Sequence, residues 1–271
     1  MAIADVSLTS GMRSNLLQLQ GTAKMIDRTQ ERLSTGKQVN SALDNPTNFF
    51  ASQAALNRAA DFSSRKDAMG EGIQTVKAAD AGITAITALV SAAKGLAEAA
   101  LGSGSTVDRS NFAAQFDTIR SQIDTLASDS SYRGTNLLTG GNLTVNFNEA
   151  GTASLTVSGI TGTAAGLSVG SATGNWSGTS DITAAQAGLG SAETSLRNAS
   201  KSLAGNLNII TTRQNFTDQM INTLQTGSDN LTLADMNNEG ANMLMLQTRQ
   251  SLGTTALSMS SQAAQSVLRL F

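Results

Sequence analysis

The chain has 271 residues, room for one or two domains, with only 4% aromatic and 14% charged side chains. Its 18 basic and 20 acidic residues leave no basic field of the kind nucleic acid needs, and the absence of cysteine excludes a disulfide framework or a thiolate site. So few aromatic anchors exclude a broad globular core and favour thin bundles of Leu, Ile, Val, Met and Ala; no stretch reads as long and apolar enough to span a bilayer, and no cofactor site is expected.

The opening Met1-Ala2-Ile3-Ala4-Asp5 lacks a charged and then apolar leader, so no cleaved signal peptide is expected. A first helix is predicted over about 5–35. Along it Met12, Leu16, Leu19, Ala23, Ile26 and Leu33 form an apolar seam in steps of four and three, with Gln30 the polar intruder. Gly36 supplies a stop, since it accepts positive φ cheaply. After a polar connector, Asn45 and Pro46, the chain's one proline, open a second helix that reaches about Leu101. On that helix Met69, Val76, Ile83, Val90 and Ala97 recur every seven residues, the period of a supercoiled seam. Beyond the turn at 102–105, Phe112, Phe116, Ile119, Ile123 and Leu126 mark a third helix.

Near Gly134 the period changes. Leu143, Val145 and Phe147 alternate with polar residues, as do Ala153, Leu155 and Val157, and the short 148–152 segment between them completes a β-hairpin. The Gly/Ser/Thr/Ala-rich 161–180 segment, which holds the lone Trp176, reads as either a small β-rich excursion or a solvated loop. From Asp181 to about Leu224 the residues Ile182, Ala185, Leu189, Ala192, Leu196, Ala199, Leu203, Ile210, Met220 and Leu224 share one helical ladder. Gly227-Ser228 is expected to break it, and Thr232 with Asp235 reads as a capping box for a last helix. That last segment, 231–271, has no acidic residue beyond Glu239.

The fold class that follows is mainly α: a long antiparallel coiled-coil or bundle rod with a small β-hairpin and a short β or loop insert. A seam alone fits a self-contained bundle. Seams reaching both ends of the chain favour assembly, because globular domains usually leave their termini polar and frayed. The self-assembly candidates are Met12, Leu16, Leu19, Ala23, Ile26 and Leu33 at one end, with Met236, Met243, Leu246, Leu257, Val267, Leu268 and Phe271 at the other.

Two motifs make the chain resemble a known family. Glu31-Arg32-Leu33-Ser34-Thr35-Gly36-Lys37-Gln38-Val39-Asn40-Ser41-Ala42 resembles the N-terminal stretch of bacterial flagellins. Leu233-Ala234-Asp235-Met236 through Ala264-Gln265-Ser266-Val267-Leu268-Arg269-Leu270-Phe271 resembles their C-terminal signature. The resemblance covers roughly 1–140 and 180–271. It implies an inner-tube coiled coil of 1–45 and 227–271, a rod-like bundle of 46–160 and 181–226 with its hairpin near 142–158, and a minimal outer insert at 161–180. It implies a secreted subunit of the extracellular flagellar filament, a helical homopolymer that transmits torque for swimming, with no membrane or nucleic-acid partner. A hook–filament junction protein and a monomeric coiled-coil adaptor are the alternatives. The implied partners are further copies, an export chaperone that holds 231–271, and the hook-junction and cap proteins. The resemblance also implies that the hairpin residues Leu143, Val145, Phe147, Leu155 and Val157 toggle filament supercoiling, with plain bracing the alternative, and that the 161–180 segment is either O-glycosylated or bare. Where the family presents an Arg/Leu/Gln patch to a Toll-like receptor, this chain has Ala92, Leu96 and Ala99, so weak or absent activation is expected.

No enzyme is expected. Ser63-Ser64-Arg65-Lys66 and Ser91-Ala92-Ala93-Lys94 match S-x-x-K, and Ser228-Asp229-Asn230 matches its companion motif, but no lysine follows Lys201 to supply the third. Gly36-Lys37 lacks the rest of a phosphate loop, and a chain without histidine has no H-E-x-x-H zinc set.

Overall fold

The computed structural model describes residues 10–268, with side chains through residue 266. Among the described residues there are five α-helices: α1 (Ser10–Thr35), α2 (Pro46–Gly102), α3 (Thr106–Asp129), α4 (Thr179–Thr232) and α5 (Met236–Leu268). Strands β1 (Leu143–Asn146) and β2 (Ser154–Val157) form one antiparallel sheet, in which Leu143 faces Val157 and Val145 faces Leu155. The chain divides into two compact units, Met1–Arg58 with Thr223–Phe271, and Ala59–Asn222, and the division runs through α2 and α4.

The Ala59–Asn222 unit is built on the heptad and ladder residues. Met69, Val76, Ile83, Val90 and Ala97 of α2 are all buried, as are Ile182, Leu189, Ala192, Leu196 and Ile210 of α4 and Phe116 and Ile123 of α3. A seven-residue apolar period keeps one stripe of a helix facing its neighbours along its length, which is why this core is thin and continuous. At Gly82 a Cβ would strike Ser130 Oγ and Leu138 Cδ1, so glycine there lets the 130–138 segment lie directly on α2. Farther along α4 the heptad series 203, 210, 217 places Thr217 in the core at 2% exposure, a position that apolar periodicity does not flag.

The hairpin belongs to this unit. Val145 and Val157 are buried, Leu143 and Leu155 are half-buried, and the buried Phe147, just beyond β1, lies 5.3 Å beneath the Arg213 guanidinium. A Cβ on Gly72 of α2 would come within 2.9 Å of Val145 Cγ2, so the sheet rests against bare helix backbone.

The 161–178 segment is neither a solvated loop nor an excursion of strands. Ala164, Leu167, Val169 and Trp176 are buried, and the Trp176 ring sits 4.9 Å from that of Phe116. One polar stripe of α3 holds its backbone: Asp124 accepts from Ala164 N at 2.7 Å, Asp117 accepts from Ala172 N at 3.0 Å, and Arg120 donates to Val169 O at 3.0 Å. Small residues made the segment look soluble. Four apolar anchors and three charge-assisted hydrogen bonds make it a strap over α3.

Three further expectations need correction. Helix α4 passes through Gly227-Ser228 without a break, because one exposed glycine costs a helix only about 1 kcal/mol and Ser228 Oγ is held 2.7 Å from Ser52 Oγ. Thr232 does not cap α5; it is the last residue of α4, and its hydroxyl donates to Ser228 O. Asp235 alone caps α5, its Oδ1 accepting from Asn237 N at 2.9 Å and Asn238 N at 3.2 Å. Helix α2 does contain a window of mean hydropathy 1.3 that by length and composition could cross a bilayer. Its alanines count as apolar while keeping the helix slender, and 39% of that window is buried within the fold.

Candidate self-assembly interface

The Met1–Arg58 with Thr223–Phe271 unit pairs α1 with α5. Gly36 ends α1 at φ 70, its N–H closing on Arg32 O at 2.8 Å. The two connectors then zip together by backbone: Gln38 N donates to Thr232 O at 2.8 Å and Ala234 N to Gly36 O at 2.9 Å. Asp44 braces the first connector. Its carboxylate accepts from Ser41 N, Asn40 N and the Ser41 hydroxyl, and those hydrogen bonds, with the charge of Arg28, hold its pKa below the ordinary carboxylate value. Asn45 caps α2 through Asn48 N.

With the connectors clamped, α1 and α5 run antiparallel. Arg32 Nη1 meets Glu239 Oε1 at 2.9 Å, and a Cβ on Gly253 would come within 2.6 Å of Leu19 Cδ2, so 32 lies opposite 239 and 19 opposite 253. Glu239 is only 8% exposed, and its charge is balanced by Arg32. Thr22 is buried in the contact, its hydroxyl satisfied by Gln18 O of its own helix. Beside Leu19 and Gly253 an open groove of about 650 Å³ is lined by Thr22, Met25, Arg249, Leu252 and Ala256 among others.

The predicted seam residues fall into three groups. Met12 and Leu246 are buried; Leu19, Ala23, Ile26, Leu33, Met243 and Leu257 are half-buried; Leu16 and Met236 are exposed. The side chains of Val267 and Leu268, and the whole of Phe271, lie outside the described residues. Seam reasoning missed the buried Thr22, Thr29 and Glu239, since no apolar template selects a polar residue. It also missed Leu17, Met25, Leu244, Met245, Leu252 and Met259, all large, apolar and 45–69% exposed. For the four on α5 the signal was present: that helix carries apolar residues around its whole circumference, more than one partner helix can cover.

Residues 7–143 match the bacterial flagellin N-terminal helical region. Over its full length the chain is 30% identical to flagellin FljK and 31% identical to flagellin FljM of Caulobacter vibrioides, in each case covering 100% of both sequences. The chain belongs to the flagellin family. It is also 30% identical to a flagellin of Brucella melitensis, over 99% of each sequence. Flagellins are structural subunits of the extracellular flagellar filament, and full-length similarity to them disfavours both a hook–filament junction protein and a monomeric adaptor.

The enzyme-like motifs of this flagellin are engaged in structure. Lys66 Nζ lies 2.6 Å from Asp218, Ser91 donates to Thr87 O, Lys94 meets Glu193, and Ser228 is buried against Ser52. Gly36 sits at the C-terminal end of α1, the wrong end of a helix for holding phosphate. Among the described residues no cluster of three or more potential metal ligands occurs.

Proposed function

We propose that this flagellin polymerises head to tail into an open helical filament whose inner wall is made by α1 and α5. The observation that carries the reading is the uncovered apolar surface of the terminal unit. Leu17, Leu244, Leu252 and Met259 are 65–69% exposed there on helices whose opposite faces are already paired. Burying such side chains contributes about 1.5–3 kcal/mol each, so a neighbouring copy is the natural cover. A heterologous contact that does not close generates a filament, not a ring. Seeding purified monomer with filament fragments tests this: elongation is expected, and a seeded monomer that stays monomeric refutes it.

The seam residues Met12, Leu16, Leu19, Ala23, Ile26, Leu33, Met236, Met243, Leu246, Leu257, Val267, Leu268 and Phe271 are assigned to this interface. Before export the same α5 surface suits an export chaperone, and at the filament's ends the junction and cap proteins. Leu143 and Val145 seat the hairpin against α2, Phe147 lies under Arg213 of α4, and Leu155 and Val157 join the same apolar cluster, which serves both a supercoil switch and plain bracing. A cross-strand disulfide that leaves waveform switching unchanged removes the switch. Exposed Ala92 and Ala99, beside half-buried Leu96, offer methyls where the family offers Arg and Gln, which supports weak Toll-like receptor activation; strong signalling by monomer in reporter cells overturns it.

A further inference from the structure

We infer that the terminal unit carries a set of methionine oxidation sites, Met25, Met236, Met245 and Met259, whose conversion to sulfoxide by peroxide weakens filament growth. This rests on the assembly reading above and adds a chemical control of it. Side-chain chemistry selects the residues. The chain has no cysteine and no histidine, and its one tryptophan, Trp176, is fully buried, so exposed thioethers are the readiest two-electron nucleophiles that its surface presents. The four named methionines are 45%, 47%, 46% and 65% exposed, and all belong to the Met1–Arg58 with Thr223–Phe271 unit. In the other unit Met69 is fully buried and Met220 half-buried. The oxidisable sulfur is therefore concentrated where the uncovered apolar surface is.

The reaction is an oxygen transfer. A sulfur lone pair attacks one peroxide oxygen, the O–O bond breaks and an S–O bond forms; sulfur loses two electrons, and the departing hydroxide takes up the remaining proton as water. The product replaces a flexible apolar thioether with a polar, chiral sulfoxide. Two of these sites neighbour exposed leucine: Met245 follows Leu244, and Met25 and Leu252 line the same groove. A strongly accepting oxygen placed there loses water when a second copy covers the face, a cost that only a hydrogen-bond donor within reach offsets.

The test uses full-length monomer. Treated with hydrogen peroxide and mapped by mass spectrometry, Met25, Met236, Met245 and Met259 gain oxygen well before Met69. Seeded elongation of that material needs about tenfold more protein than the untreated chain. Methionine sulfoxide reductase restores growth, and a variant with all four changed to leucine (Met25→Leu, Met236→Leu, Met245→Leu, Met259→Leu) elongates after peroxide as before it. Oxidised wild type that elongates normally overturns the inference, as does growth that the reductase fails to restore or an equal loss in the leucine variant. The reductase arm still decides if the leucine variant does not assemble. Failure of untreated wild type to elongate sinks the assembly reading instead, so the two are distinguishable.

Discussion

The two units of this flagellin treat apolar side chains in opposite ways. In Ala59–Asn222 the large ones are inside: Phe116, Trp176, Ile86, Ile123 and Leu189 are wholly buried. In Met1–Arg58 with Thr223–Phe271 the buried apolar residues are only Met12, Val39 and Leu246 among those described, while Leu17, Phe50, Leu244, Leu252 and Met259 are more than 60% exposed. What is buried in the terminal unit is largely polar: Thr22, Thr29, Ser52, Ser228, Thr232 and Glu239. One unit completes its core within a single chain. The other, among the described residues, buries mostly polar side chains and leaves large apolar ones uncovered. Periodic seams occur in both, so a seam does not say whether its partner is in the same molecule. Burial does.

The comparison breaks most sharply on truncation. Removing 1–36 and 236–271 is expected to abolish seeded elongation completely while a cooperative unfolding transition by circular dichroism survives; growth without both ends would mean that the terminal unit is not the interface. Next come core against surface deletions. Phe116→Ala should destabilise the monomer by about 3–5 kcal/mol in denaturant titration. Leu252→Ala should stay within about 0.5 kcal/mol there and yet weaken elongation.

Glycines on a single helix sharpen the same point. Gly82→Ala must displace Ser130 and Leu138 and should cost about 1–3 kcal/mol, whereas Gly95→Ala, with open space around it, should raise stability by about 0.5–1 kcal/mol. In the terminal unit, Arg32→Ala leaves a nearly buried Glu239 carboxylate without its cation and should cost about 1–3 kcal/mol. A double-mutant cycle with Glu239→Ala should then show strong coupling. The smallest effect is at Glu71, whose hydrogen bond from Arg133, foremost, lowers its pKa. A carboxylate lowered on folding favours the folded state above its unfolded pKa and loses that advantage as pH falls through the folded value. The melting temperatures of wild type and Glu71→Gln should therefore differ slightly at neutral pH and converge in acid, once pH has fallen below the lowered pKa of the folded carboxyl. A difference that persists in acid would assign the effect to packing.

Much of the local structure was legible because single residues decide it. Gly36 had to end α1, Asn45-Pro46 had to open α2, and alternation over 143–147 and 153–157 could only be a hairpin. The misses share a different cause. Gly227-Ser228 looked like a break, but the Ser52 hydroxyl stabilises the continued helix from a position distant in sequence. The 161–180 segment reads as either a small β-rich excursion or a solvated loop because its anchors are sparse, and only α3 makes Asp117, Arg120 and Asp124 into a clasp. At the candidate interface, periodicity found the face that α1 and α5 turn toward each other. The face they leave open was hidden in α5's all-round apolarity, which has no period to detect.

The amino-acid order by itself determined which long stretches are helical and that both extremities bear apolar stripes, since these follow from backbone preferences and from spacing along one chain. Only the tertiary structure decided which stripes are already covered. Coverage depends on the Arg32–Glu239 register, the Gly82 and Gly253 approaches and the strap over α3, each a contact between residues far apart in the chain.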